Sequence, residues 1–120
     1  MVSMTRPEDC CADPVGVEPL PAAERDELVA VLRALGEPMR LEIYRLIAAQ
    51  AAPLCVCDVV ERFPLKQPTI SHHLRVLREA ELVTVSRQGR WAYYAPNPRG
   101  LERLRDAAPK LAPGCLAGAR

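Results

Sequence analysis

The apolar positions along this chain change period several times, and each change marks an element. Leu28, Val31, Leu32 and Leu35 recur at helical spacing, so a first helix with one apolar stripe is expected over about 21–35, stopped by Gly36. Pro38 suits the first turn of a second helix over about 38–49, with Leu41, Tyr44 and Ile47 turned inward. After Pro53, the apolar Val56, Val59, Val60 and Phe63 predict a short helix over about 55–63. Pro64-Leu65-Lys66 then leads into a longer helix over about 67–80. Two helices joined by so short a turn match a helix-turn-helix.

From Leu82 onward the pattern becomes β-rich. Two short runs flank Arg87-Gln88-Gly89-Arg90, which reads as a hairpin with glycine at its turn. Pro96 and Pro98 close it, and a last helix is expected from near Arg99 on a stripe of Leu101, Leu104, Ala108 and Leu111. Residues 1–21 hold four Pro, a Cys-Cys pair and several acids, and read as a flexible arm. Residues 112–120 read as a disordered tail. The expected fold class is mainly α with a β-hairpin wing, in one domain over 22–111.

A chain of 120 residues has room for one modest core. Nothing resembles a signal peptide and no apolar run approaches membrane-spanning length, so a cytoplasmic protein without a membrane partner is expected. The net charge is only +1, but it is unevenly placed. Residues 1–27 carry two Arg against seven Asp or Glu, a net of −5, whereas residues 66–106 carry eight Lys or Arg against four acids, a net of +4. The positive segment contains the second helix of the helix-turn-helix and the hairpin. That asymmetry fits a local phosphate-binding face.

On a helical wheel, Ile70, His73, Leu74 and Leu77 share one face and form a buried stripe. His73 therefore faces the core and His72 faces solvent or DNA. Adjacent helical positions diverge by about a hundred degrees, which disfavours a shared zinc ion. The exposed set suits a major groove. Gln67 can pair with adenine, Thr69 and Ser71 can bond base edges or phosphates, and Arg75 can reach guanine or phosphate. Arg87 and Arg90 at the hairpin tip have the chemistry of a wing on a phosphate backbone.

Five cysteines, Cys10, Cys11, Cys55, Cys57 and Cys115, are an odd number. In a reducing compartment they are thiols rather than a disulfide framework. Cys55 and Cys57 stand at the start of the third helix, where the helix N-terminus is expected to lower a thiol pKa. Positions two apart diverge on a regular helix, so a shared ion needs a distorted first turn. Either thiol could instead simply pack. Soft thiolates select soft ions. Cys115, in a Pro-Gly-Cys tail, reads as incidental. A thiol oxidoreductase would be expected to show Cys-x-x-Cys beside a βαβ pattern, which is missing, and no catalytic constellation is present, so an enzyme is not expected. A metal chaperone would leave the DNA-reading helix idle.

Four stretches carry a family likeness. They are Ala34-Leu-Gly-Glu-Pro-Met-Arg-Leu-Glu-Ile43, Leu54-Cys-Val-Cys-Asp-Val59, Gln67-Pro-Thr-Ile-Ser-His-His-Leu-Arg75 with its continuation to Val83, and Gly89-Arg-Trp-Ala-Tyr-Tyr94. In this order, over roughly residues 25–105, they resemble the ArsR/SmtB family of metalloregulatory repressors. The resemblance implies a homodimeric winged helix-turn-helix that holds an inverted-repeat operator when ligand-free and leaves it when an ion binds. It also implies a dimer interface on the first and last helices, involving Leu28, Leu32, Leu101 and Leu104.

Arsenic-responsive relatives often carry another cysteine where this chain has Val60, and related repressors bring arm cysteines to the third helix. The resemblance thus implies an As(III) or Sb(III) site of Cys10 and Cys11 with one of Cys55 and Cys57, within or between protomers. Four thiolates together would instead suit Cd(II), Pb(II) or mercury, and a thiol-redox-sensing repressor is a further alternative. The family's other zinc site, across the last helices, is not expected, because residues 99–111 contain no His.

Overall fold

The computed structural model describes residues 16–117, and side chains through residue 115. Cys10 and Cys11, with most of the expected arm, lie outside the described residues. Helix α1 (Ala22–Leu35) is followed by α2 (Pro38–Ala48), whose start is set by Glu37: its carboxylate accepts from the Arg40 N–H at 2.7 Å, and Pro38 takes the first helical position. A short strand β1 (Leu54–Cys55) leads into α3 (Val56–Arg62), then α4 (Gln67–Glu79). Strands β2 (Val83–Gln88) and β3 (Trp91–Pro96) form the hairpin, and α5 (Pro98–Leu111) and α6 (Pro113–Ala117) end the described chain.

The hairpin turns on Gly89 at φ +64, with Gln88 paired to Trp91, so the loop has two residues and glycine at the first. The sheet has a third strand that periodicity alone did not announce. β1 pairs antiparallel with β3, Leu54 opposite Tyr94 and Cys55 opposite Tyr93, giving the order β1-β3-β2. A two-residue strand is too short to show an alternating pattern in sequence.

The core joins α1 (Val31, Ala34), α2 (Ile43, Tyr44, Ile47), α3 (Val59) and α4 (Ile70, Leu74, Leu77) to Leu82 and Val83. It differs in detail from the expected stripes. Leu28, Val31, Tyr44 and Ile47 are buried as expected, but Ala34 and Ile43 are fully buried and Leu32 and Leu41 exposed, so each helix docks with the opposite edge of its stripe inward. The expected inward set on α5 is likewise displaced: Gly100 and Ala107 are buried, and Leu101 and Leu111 are exposed. The tail expected to be disordered from 112 forms the short α6 over Pro113–Ala117.

Two backbone details hold α4, β2 and α5 in register. α4 ends with Glu81 at φ 59, its N–H bonding Arg78 O at 3.0 Å and the Leu82 N–H bonding Leu77 O at 2.9 Å. This is a Schellman closure with a glutamate where glycine is usual. Gly100 then packs directly on that corner: its N–H bonds Glu81 O at 3.0 Å, and a Cβ there would lie 2.8 Å from the same oxygen.

Candidate nucleic-acid interface and thiol pair

Helix α4 begins without a side-chain cap, Pro68 occupying its first turn, and its buried face is the expected Ile70, His73, Leu74 and Leu77. His73 is held at its imidazole: Arg40 Nη1 is 3.1 Å from Nδ1, and Glu37 Oε1 is 3.8 Å from Nε2. Burial pushes the His73 pKa down; Glu37 opposes this, and Arg40 and His72 add to it.

The opposite face of α4 meets the hairpin across an open cleft of about 450 Å³. Gln67, Ser71, His72 and Arg75 line the helix side, and Arg87 and Arg90 the hairpin side. Six of the seven residues expected to contact DNA thus converge on one surface. Thr69 is exposed on α4 but does not line the cleft. Arg87 pairs with Ala92 in the hairpin register, which puts its side chain on the cleft face with Ala92 and Tyr94.

Five further residues line the cleft that were not expected at DNA: Arg78, Val56 and Tyr94, with Pro68 and Ala92. Arg78 was legible in principle, being one turn beyond Arg75 and two beyond Ser71 on the same helix face. Val56 and Tyr94 depend on the β1–β3 pairing and were not. None of the lining residues is acidic. Four guanidinium groups therefore share one cleft, a surface built for a polyanion.

The thiol pair flanks Val56, which lines this cleft. Cys55 ends β1 with extended backbone (φ −68, ψ 143) as the N-cap of α3, and Cys57 sits in the helix's first turn. The divergence expected of two positions on one regular helix is therefore absent: the chain turns a corner between them, and the sulfurs lie 2.7 Å apart. Cys55 is buried and Cys57 exposed. The expectation of a lowered pKa fails at Cys57, whose pKa is raised. The hydrogen bond to Cys55 contributes most, followed by desolvation and the charges of Cys55 and Asp58; only a backbone N–H at Asp58 acts the other way. Among the described residues no group of three or more His, Cys, Asp or Glu side chains that could hold a metal ion converges. Cys115 is exposed on α6.

Leu28, expected at a dimer interface, is buried within the protomer at 4 % exposure, against Ala107 and Arg103 of α5. It packs α1 on α5 and has little surface left for a partner. Leu32 and Leu101 remain 43 % and 46 % exposed, and Leu104 is half-buried against the core.

Among the described residues no helix is long and apolar enough to cross a membrane. A family profile described as bacterial regulatory protein, arsR family, matches residues 37–85, from the start of α2 into β2. The arsenical resistance operon repressor of Staphylococcus xylosus is 41 % identical over 78 residues, covering 65 % of this chain and 73 % of that protein. A crystal structure of a possible transcriptional regulator for arsenical resistance superposes with TM-score 0.62 at 33 % identity, over 76 % of this chain and 97 % of that one. A solution structure of a homodimeric winged helix-turn-helix DNA-binding domain from Mycobacterium bovis, a possible ArsR-family regulator, gives TM-score 0.60 at 26 % identity, over 82 % and 90 %. The hairpin is thus a wing beside a helix-turn-helix, and the chain belongs to the arsR family of bacterial regulatory proteins, DNA-binding transcriptional regulators rather than enzymes.

Proposed function

We propose that this protein is an arsenite- and antimonite-responsive repressor. As a homodimer it holds an inverted-repeat operator, and it lets go when As(III) is captured by Cys10, Cys11 and one of Cys55 and Cys57. The single observation that supports this best is the position of Val56. It is flanked by the two thiols, and its own side chain lines the cleft that faces DNA. Cys55 is also paired in register with Tyr93, the neighbour of cleft-lining Tyr94. An ion that draws the arm onto this corner therefore acts on the cleft wall itself. A symmetric dimer must align two reading helices with two grooves, so a small displacement weakens both half-sites together. The size of the effect is set by the ion's differential affinity for the two states.

Gln67, Ser71, His72 and Arg75 would face the major groove, with Thr69 on the flank of the same helix, and Arg87 and Arg90 would follow the backbone from the wing. Leu32 and Leu101, together with half-buried Leu104, would form the apolar part of the dimer interface. The raised pKa of Cys57 suits it to this chemistry, which starts from the protonated thiol. Neutral arsenous acid, As(OH)3, condenses with three Cys–SH groups to form three As–S bonds, and three As–O bonds break. Each thiol proton leaves in one of three water molecules.

A second reading is favoured by the contact between the two sulfurs. Because both Cys55 and Cys57 reach one point, a site with Cys10 and Cys11 could offer four thiolates to Cd(II) or Pb(II). Fluorescence anisotropy decides between them. Reduced protein is bound to a duplex from the DNA upstream of its own coding sequence, and arsenite, antimonite, cadmium, lead and zinc are titrated in parallel at fixed salt. Release by arsenite and antimonite at low concentration is expected; release by cadmium and lead alone selects the second reading. Retention of DNA with every ion would sink both.

A further inference from the structure

The sulfurs of Cys55 and Cys57 meet at one point, 2.7 Å apart, with Cys55 buried and Cys57 open to solvent. Arsenous acid has three exchangeable oxygens, so its full capture takes three sulfurs and brings in the arm. An arsenic that already carries one carbon, R–As(OH)2, has only two. A pair of converged thiols satisfies it completely.

The surroundings of the pair bear on the group R. Cys55 stands directly opposite Tyr93 in the β1–β3 register, and Tyr93 stands opposite Ser86 on β2. Residues paired in this way carry their side chains on one face of the sheet. Faces alternate along a strand, so Trp91 shares the face of Tyr93, while Ala92 and Tyr94 lie on the other with Arg87, along the cleft. Cys55 therefore belongs to the sheet face turned away from the cleft. On that face Trp91 is 50 % exposed, about 7 Å along β3 from half-buried Tyr93. Neither ring is part of the hydrophobic core, and their neighbours across the hairpin, Ser86 and Gln88, are exposed and polar. Two aromatic rings thus lie beside the thiols with apolar surface free for a ligand.

We propose that Cys55 and Cys57 by themselves capture a monosubstituted trivalent arsenical, R–As(OH)2, whose apolar group R, best an aromatic one, lies against Tyr93 and Trp91. This rests on the reading of the pair as arsenic-binding thiols, but it needs neither Cys10 nor Cys11. Two Cys–SH groups condense with R–As(OH)2: two As–S bonds form and two As–O bonds break. The As–C bond stays, and the thiol protons leave in two water molecules. Arsenic keeps its oxidation state, so no oxidant or reductant is consumed. One corner of the fold then serves two inputs, inorganic arsenite with the arm and organic arsenicals without it.

The test uses the reduced full chain carrying Cys10→Ser, Cys11→Ser and Cys115→Ser, which leaves Cys55 and Cys57 as its thiols. Phenylarsenous acid, methylarsenous acid and arsenite are titrated against this triple variant and against wild type. Loss of free thiol gives the stoichiometry, and the emission of Trp91, the one tryptophan of the chain, reports on the aryl group. The triple variant is expected to lose two thiols for each phenylarsenous acid bound, to bind it at least about tenfold more tightly than arsenite, and to change its Trp91 emission. Adding Trp91→Ala or Tyr93→Ala should weaken phenylarsenous acid by about threefold to tenfold, and methylarsenous acid less. Circular dichroism checks that Tyr93→Ala is folded; if it is not, Trp91→Ala, at an exposed ring, carries the comparison by thiol loss. Equal affinity for phenylarsenous acid and arsenite, or a phenylarsenous acid Kd that the aromatic variants leave unmoved, overturns the proposal. Wild type that takes arsenite while the triple variant takes no organic arsenical overturns this inference alone. A triple variant that takes phenylarsenous acid beside a wild type indifferent to arsenite overturns the three-thiol reading alone.

Discussion

Arg40 Nη1 donates to Nδ1 of His73 at 3.1 Å, joining the start of α2 to the underside of the reading helix. The same guanidinium bonds Ala34 O at 2.6 Å and Arg33 O at 3.2 Å at the end of α1. One side chain thus ties three helices together and satisfies carbonyls left open by a helix C-terminus. Since arginine only donates, Nδ1 accepts, and the proton of the neutral ring sits on Nε2, facing Glu37. Protonated His73 would direct an N–H at a guanidinium.

Acid should therefore loosen this junction. The His73 pKa lies below its ordinary 6.5 in the folded protein, chiefly through burial. The unfolded chain takes up the proton first, so the contribution of neutral His73 is complete above about 6.5 and is lost as pH falls from there through the lower folded value. Urea denaturation of wild type and His73→Gln between pH 8 and about 5 checks this. The wild type should lose more stability than the variant across that interval; parallel curves would refute the assignment.

Arg40→Ala removes three hydrogen bonds that share one charged group, and should cost about 2–3 kcal/mol. Glu37 would then be the nearest charged partner of His73, so the variant's reading helix should also show faster amide exchange. A shift in melting temperature within error of wild type would show that water replaces the guanidinium.

At Gly100 a methyl group has nowhere to go, since it would meet Glu81 O at 2.8 Å, Leu82 Cδ2 at 2.9 Å and Ala80 O at 3.0 Å. Gly100→Ala must push α5 off the α4–β2 corner, at a cost of about 1–3 kcal/mol despite the better helix propensity of alanine. Chemical denaturation measures it directly.

Leu28 and Leu32 stand one turn apart on α1 and should behave differently. Leu28→Ala empties a packed position between α1 and α5 and should cost about 2–4 kcal/mol in stability. Leu32→Glu with Leu101→Glu leaves the protomer core intact but places charge on the proposed apolar interface. Sedimentation velocity should show monomer for the double variant and dimer for Leu28→Ala at concentrations where it is folded. A dimer that survives both glutamates places the interface elsewhere.

Cys55→Ser/Cys57→Ser should bind the operator like wild type and ignore arsenite, whereas failure to bind DNA would make the pair structural. In weakly buffered solution, arsenite capture should leave the pH nearly unchanged, because thiol protons depart as water, while cadmium should release about one proton for each thiol it binds.

The order and type of the helices were legible because each buries one face and its apolar residues must recur at 3.6-residue spacing. The polar face of α4 and the arginine hairpin were legible for the complementary reason, being exposed polar positions next to a buried stripe. Sequence determined which polar residues of α4 and the hairpin are exposed, which His faces inward, and that two thiols stand at the start of α3. Four matters needed the tertiary structure: the pairing of β1 with β3, the corner that brings Cys55 and Cys57 together, the place of Val56 and Tyr94 in the cleft, and the burial of Leu28 but not Leu32. Each depends on contacts between residues distant in the chain or on the rotation of one helix against another. Local periodicity carries neither, because a broad apolar stripe fits either edge inward, and which edge is covered depends on the helix packed against it.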